Sequence, residues 1–163
     1  MNVASALPAP TATLLVTVFG ADRPGVTASL FGALEPYGVQ VVDVEQVVLR
    51  GRLVLGVLVS APPEETPLRL ALHKWAAADG LDIEVVSGHG DNRPRREGRT
   101  HVTVLGAPLP PSAMAALARR IAECSGNIDR IVRLAKYPVT ALELDVSGAD
   151  PDVLRAELAL VAV

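Results

Sequence analysis

One cysteine, Cys124, stands alone in 163 residues. It has no internal disulfide partner, and no cysteine cluster for a metal can form. The chain therefore reads as a cytoplasmic one, with Cys124 at a helix end as a small core or boundary residue. Aromatic residues are 3% of the chain, too few for base-stacking platforms. There is no basic excess either. The formal net charge is -3 and the pI near 5.6, which argues against a nucleic-acid footprint. No apolar run reaches the ~18 residues needed to span a bilayer. The opening MNVASALPAPTA has neither a basic start nor a continuous apolar stretch, so it reads as a flexible tail over residues 1–12 and not as a signal peptide. What remains is a globular composition, half of it apolar, whose core must come from Val, Leu and Ala.

The apolar spacing resolves into elements. TATLLVTVFG is β-branched and apolar and predicts a strand ending at Gly20. From Pro24 the period changes: Val26, Leu30, Ala33, Leu34 and Tyr37 form one helical stripe, and Gly38 supplies the stop. VQVVDVEQVVLR and RLVLGVLVSA predict two strands joined by a tight turn at Arg50-Gly51-Arg52. PEETPLRLALHKWAAADG predicts a helix with Leu68, Leu72, Trp75 and Ala76 on one face, ended by Gly80, and LDIEVVSG a further strand. The order is β-α-β-β-α-β, over residues 13–88.

HGDNRPRREGRT is polar, with four arginines broken by proline and glycine, and reads as a linker over residues 89–99. Then the pattern restarts over residues 100–163. TVLGA from Thr103 repeats TVFGA from Thr17, so Gly106 stands where Gly20 stands. Met114, Leu117, Ala118 and Ile121 make the helix stripe, and Gly126 takes the place of Gly38. Tyr137-Pro138 replaces the Gly51 turn, VTALELDVS alternates as a strand, and Asp150 caps a last helix with Pro151 in its first turn. The second copy has no final strand, which would leave the edge of its first strand unpaired. The expectation is a piece of a longer chain, or an edge filled by another segment.

The stretch GADRPGV, between the first strand and first helix, is the candidate binding loop. Gly20 leaves the backbone approachable. Asp22 is a cap candidate, and Pro24 suits a helix start. Gly25 leaves the first turn bare. Exposed amides and the positive end of the helix dipole suit a carboxylate. Asp22 suits an ammonium, and the pair describes a free amino acid. Read alone, the same residues also fit an ordinary βα turn.

Other chemistry finds little footing. His73, His89 and His101 share no ligand spacing, so no metal site is expected. Ser87, His89 and Asp91 lie too close in sequence for a triad and read as part of the connector. Gly20, Gly25, Gly32 and Gly38 do not make a dinucleotide fingerprint. Asp43 and Glu45 share one strand face and read as a charged outer surface.

GADRPGVTASLFGALEPYGVQVVDVEQ resembles the ACT domain, with the Asp-x-Pro-Gly-Val signature at Asp22, Pro24, Gly25 and Val26. SGNI, at Ser125 to Ile128, resembles the family's Gly-x-Asn-Ile step. VEQVVLRGRLVLGVLVS and YPVTALELDVS are similar to the tandem ACT repeats of actinobacterial phosphoserine phosphatases. The resemblance implies an α+β fold of two ferredoxin-like βαββαβ units, the second lacking its last strand. It implies a regulatory region that senses L-serine or another small amino acid, forms a homodimer, and precedes a haloacid-dehalogenase-type domain that would hold Mg2+. No Asp-x-Asp-x-Thr nucleophile motif occurs, so the chain alone is not expected to hydrolyse phosphoserine, and no cofactor is expected in it. Each copy carries half of the family's signature. The expected ligand residues are Gly20, Asp22, Gly25 and Val26 from the first and Asn127 from the second. The alternatives are a stand-alone tandem regulator similar to glycine-cleavage repressors, and a structural dimerisation module.

Overall fold

The computed structural model describes residues 11–89, 98–135 and 138–160. It divides into two compact units, Met1–Asn92 and Arg93–Val163. The tail through residue 10, most of the expected linker and Tyr137 lie outside the described residues.

In the first unit the order is β1 (Ala12–Ala21), α1 (Val26–Leu34), a 3-10 turn (Glu35–Tyr37), β2 (Val41–Leu49), β3 (Arg52–Ser60), α2 (Glu65–Asp79) and β4 (Asp82–His89). The sheet runs β2-β3-β1-β4, and every pairing in it is antiparallel. Alternation puts Leu14, Val16 and Val18 of β1 and Leu53, Leu55, Val57 and Val59 of β3 on one face. That face is closed by Val26, Leu30 and Leu34 of α1 and Leu68, Leu72 and Ala76 of α2, all buried. Arg50 and Gly51 both take positive φ, 51° and 83°, as a two-residue hairpin turn of the right twist requires. Gly80, at φ 65°, ends α2; its amide donates to Ala77 O and that of Leu81 to Ala76 O.

β4 is held to α2 by side chains as well as by packing. The Arg69 guanidinium donates to Val85 O at 2.6 Å, to Glu65 Oε2 at 2.9 Å and to Ser87 Oγ, while Ser87 Oγ donates to Glu65 Oε2 at 2.7 Å. The Ser87 hydroxyl first, and Arg69 second, hold the Glu65 carboxyl below its ordinary range. Ser87 is thus a strand residue with a packing role and not part of a connector loop.

The second unit repeats the plan with β5 (Thr100–Gly106), α3 (Pro111–Glu123), β6 (Asn127–Ala135), β7 (Thr140–Ser147) and α4 (Pro151–Ala159). Its sheet has three strands, β5-β7-β6. The last strand of the pattern is missing among the described residues, and the β5 edge that β4 would match is unpaired. The buried core is correspondingly small: Ile121, Leu144, Val146 and Leu154. Asp150 caps α4 as the sequence implies, accepting from the amides of Asp152 and Val153 at 3.0 and 3.1 Å. Cys124 is partly buried against this core. Among the described residues no helix is long and apolar enough to cross a membrane.

One sequence expectation is corrected here. Gly126 does not make the left-handed helix stop of α3; Ser125 does, at φ 59°. The Ser125 amide donates to Ala122 O and the Gly126 amide to Ile121 O, each at 2.9 Å. Gly126 is needed for a different reason. A Cβ there would lie 2.8 Å from Ile121 Cγ2 and 2.9 Å from Ile121 O, so the backbone passes the helix too closely for any side chain.

Candidate ligand-binding loop of the first unit

The loop between β1 and α1 is pinned at both sides. The Asp22 amide donates to Gly51 O of the β2–β3 turn at 2.8 Å. Arg23 Nη2 donates to Asp79 O at 2.9 Å and lies 3.3 Å from Asp79 Oδ1, tying the loop to the end of α2. Thr27 Oγ1 donates to Gln46 Oε1 at 2.8 Å, joining the first turn of α1 to β2. Ser29 Oγ accepts from Trp75 Nε1 at 2.7 Å.

Asp22 is not the helix cap that the sequence suggests. The N-cap is Gly25, at φ 93°, and no side chain caps the helix. Gly25 takes a left-handed conformation that a residue with a Cβ adopts at a cost, and this turn carries the chain into α1 three residues beyond Asp22. The consequence is chemical. Asp22 is exposed, and its carboxylate is not spent on the helix. The first amides of α1 carry the partial positive charge of an uncapped N-terminus. The space where a Gly25 side chain would stand is open, with nothing within 4 Å. A carboxylate is matched by the amides and a cationic amine by Asp22.

Gly20 and Val26 sit differently. A Cβ on Gly20 would strike Leu81 Cδ2, so the open side that the sequence assigns to Gly20 is filled by a leucine from the other end of the unit. Val26 is a core residue, 2% exposed, which leaves its main-chain amide as its polar group at the loop. In the second unit, Asn127 is the first residue of β6, exposed, with Nδ2 donating to Asp129 Oδ1 at 2.7 Å. The loop there, between β5 and α3, has Pro110 as N-cap without a side-chain bond. Leu109 covers the face of Gly106, so this loop offers no carboxylate, in keeping with its sequence.

Sequence spacing missed one cluster. His101, Glu143 and Asp145 each place a ligand atom within 4.8 Å of the others. His101 Nδ1 and Asp145 Oδ1 are 2.8 Å apart. The strands bring them together, because His101 pairs with Asp145 across β5 and β7. No local spacing could have signalled it. A histidine with two carboxylates is a donor set suited to a divalent transition metal.

The ACT domain family matches residues 12–86 and again residues 99–163. The chain is a tandem of two ACT domains. Over 152 residues it is 58% identical to a phosphoserine phosphatase of Streptomyces coelicolor, covering 92% of this chain and 37% of that protein. It is 44% identical over 156 residues to phosphoserine phosphatase SerB2 of Mycobacterium tuberculosis, covering 93% of this chain and 38% of that protein. The ACT tandem thus spans little more than a third of the length of these curated relatives. Among solved structures, a candidate glycine cleavage system transcriptional repressor superposes with a TM-score of 0.74 at 15% identity, over 93% of this chain and 90% of that one. A protein of unknown function from Galdieria sulphuraria gives 0.70 at 21%, over 93% and 91%. Both likenesses speak for the ACT tandem fold alone.

Proposed function

We propose that this chain is the amino-acid-binding regulatory region of a phosphoserine phosphatase, that it senses L-serine, and that it acts in the cytoplasm. One observation carries the assignment to that enzyme: the 58% identity runs through both ACT domains. The ligand class is supported by the loop, which carries both an uncapped helix N-terminus and an exposed carboxylate, Asp22, that caps no helix among the described residues. In this proposal the α1 amides, from Val26 on, take the serine carboxylate. Asp22 takes the ammonium, and Gly25 keeps the approach open. Gly20 keeps the loop in place through its contact with Leu81, and Asn127, from this chain or from a second copy, is the remaining polar residue of the proposal. Mg2+ belongs to the phosphatase domain of the longer protein. The stand-alone regulator related to glycine-cleavage repressors has only the fold in its favour.

A homodimer is part of the proposal. Every residue of β2 is exposed, and this edge strand presents Val41, Val42, Val44, Val47, Val48 and Leu49 to solvent. An open, apolar edge of this length is a pairing surface.

Calorimetric titration with L-serine tests the sensing function. Saturable heat is expected. Asp22→Ala should weaken binding by about 1.5–3 kcal/mol, more than tenfold in Kd, because it removes a charge-assisted contact. Asn127→Ala should weaken it by less. No heat and no thermal shift at millimolar serine would refute serine sensing by this chain. Binding unchanged in Asp22→Ala would refute the loop as the site.

A further inference from the structure

Alternation along the strands gives the second sheet two faces. Val102 and Val104 of β5 and Leu142, Leu144 and Val146 of β7 turn toward α3 and α4 and build the core. The residues between them share the opposite face: His101 and Thr103 on β5, Glu143 and Asp145 on β7. Pairing sets His101 directly across from Asp145 and Thr103 across from Glu143. The histidine therefore meets one carboxylate side by side and the other on the diagonal.

The groups on this face do not balance. Asp145 is 9% exposed, and its carboxylate has one partner among the described residues, His101 Nδ1, 2.8 Å from Oδ1. Glu143 is half-buried and makes no side-chain hydrogen bond or ion pair among the described residues. Arg130 stands opposite Asp145 on β6, but it is exposed and forms no ion pair with it among the described residues. Two carboxylates held on one strand face repel each other, and their neighbour in the cluster is an imidazole rather than a fixed cation.

The spacing is that of a common ligand shell. Atoms bound to one ion at 2.0–2.2 Å lie about 3–4 Å apart. The His101–Asp145 pair is already close to this, and the cluster as a whole falls within 4.8 Å. Glu143 has to close by at most about 1–2 Å, and no other hydrogen bond has to be broken for it to do so. The ion takes the place of the proton between Nδ1 and Oδ1, with the neutral imidazole carrying its proton on Nε2.

We propose that His101, Glu143 and Asp145 form a binding site for a divalent transition-metal ion, with zinc as the fitting case. One imidazole and two carboxylates supply two negative charges for a dication, and the nitrogen ligand favours zinc over magnesium. The exposed side of His101 leaves room for a water at the remaining position. The site lies within the second unit and stands whether or not the first unit binds serine.

The test is calorimetric titration of the full chain, carrying no polyhistidine tag, with Zn2+, alongside the ring resonances of its three histidines. Saturation at one ion per chain is expected, with the His101 signals shifted and those of His73 and His89 in place. Mg2+ in large excess should not displace the zinc. Loss of an outer-shell partner already costs about 10–100-fold in metal affinity, so loss of a ligand should cost at least as much. His101→Ala and Glu143→Gln, at positions outside the core and checked by circular dichroism, should each weaken binding by that factor. The proposal fails if zinc does not saturate at one ion per chain, if either variant binds as the parent does, or if the shifts fall on His73 or His89. Displacement by Mg2+ would overturn the transition-metal assignment.

Discussion

Gly20 offers a direct test of how this fold is held, through the substitution Gly20→Ala. A Cβ at this position falls on Leu81 Cδ2, with Leu81 Cγ at 3.6 Å and Leu81 Cα at 3.7 Å. The nearest atom is the end of a flexible side chain, so Leu81 must leave its rotamer or β1 must shift. Overpacking of this kind costs about 1–3 kcal/mol. Leu81→Ala removes a side chain only 8% exposed and should cost about 2–3 kcal/mol, the lower part of the usual range, because the site lies at the rim of the core. The two changes together should cost less than their sum by about 1–3 kcal/mol, since the methyl at position 20 enters room that Leu81 has vacated. Urea unfolding followed by tryptophan fluorescence isolates the effect. Trp75 is the one tryptophan of the chain, it packs on the first core, and the second unit is silent to it. Additivity of the two losses within about 0.5 kcal/mol would refute the packing argument. A stable Gly20→Ala protein that no longer binds serine would instead make Gly20 a ligand-contacting residue.

Ser125→Gly should stabilise the second unit by about 1 kcal/mol, since Ser125 holds a left-handed conformation that glycine adopts without strain. Slower amide exchange in β7 would report it, and unchanged or faster exchange would count against the assignment of strain to Ser125. The Glu65–Arg69–Ser87 clamp predicts a pH dependence. Glu65 is more acidic folded than unfolded, so its stabilisation is complete above its ordinary value of 4.5 and is lost as pH falls through the lower folded value. Urea midpoints of the parent should fall more steeply with acid than those of Glu65→Gln. Parallel profiles would mean that the clamp does not couple to folding.

The strands, the helices, their order and the duplication follow from the sequence alone, because hydrophobic period is a local property of the backbone. Asp150 was legible as a cap for the same reason, since its acceptor reaches amides two and three residues on. The ACT signature marked the loop at Asp22 to Val26, but not what each of its residues does. Only the tertiary structure decided that Leu81 occupies the face of Gly20 and that Ser125, not Gly126, takes the left-handed turn. It alone brought His101 onto Asp145 and gave Arg69 the Val85 carbonyl of β4 to grip. Each of these depends on strand register and on contacts between residues far apart in the chain. A side chain's neighbour in space is set by which strands pair and by how closely the backbones approach, and neither quantity is written in the residues on either side of it.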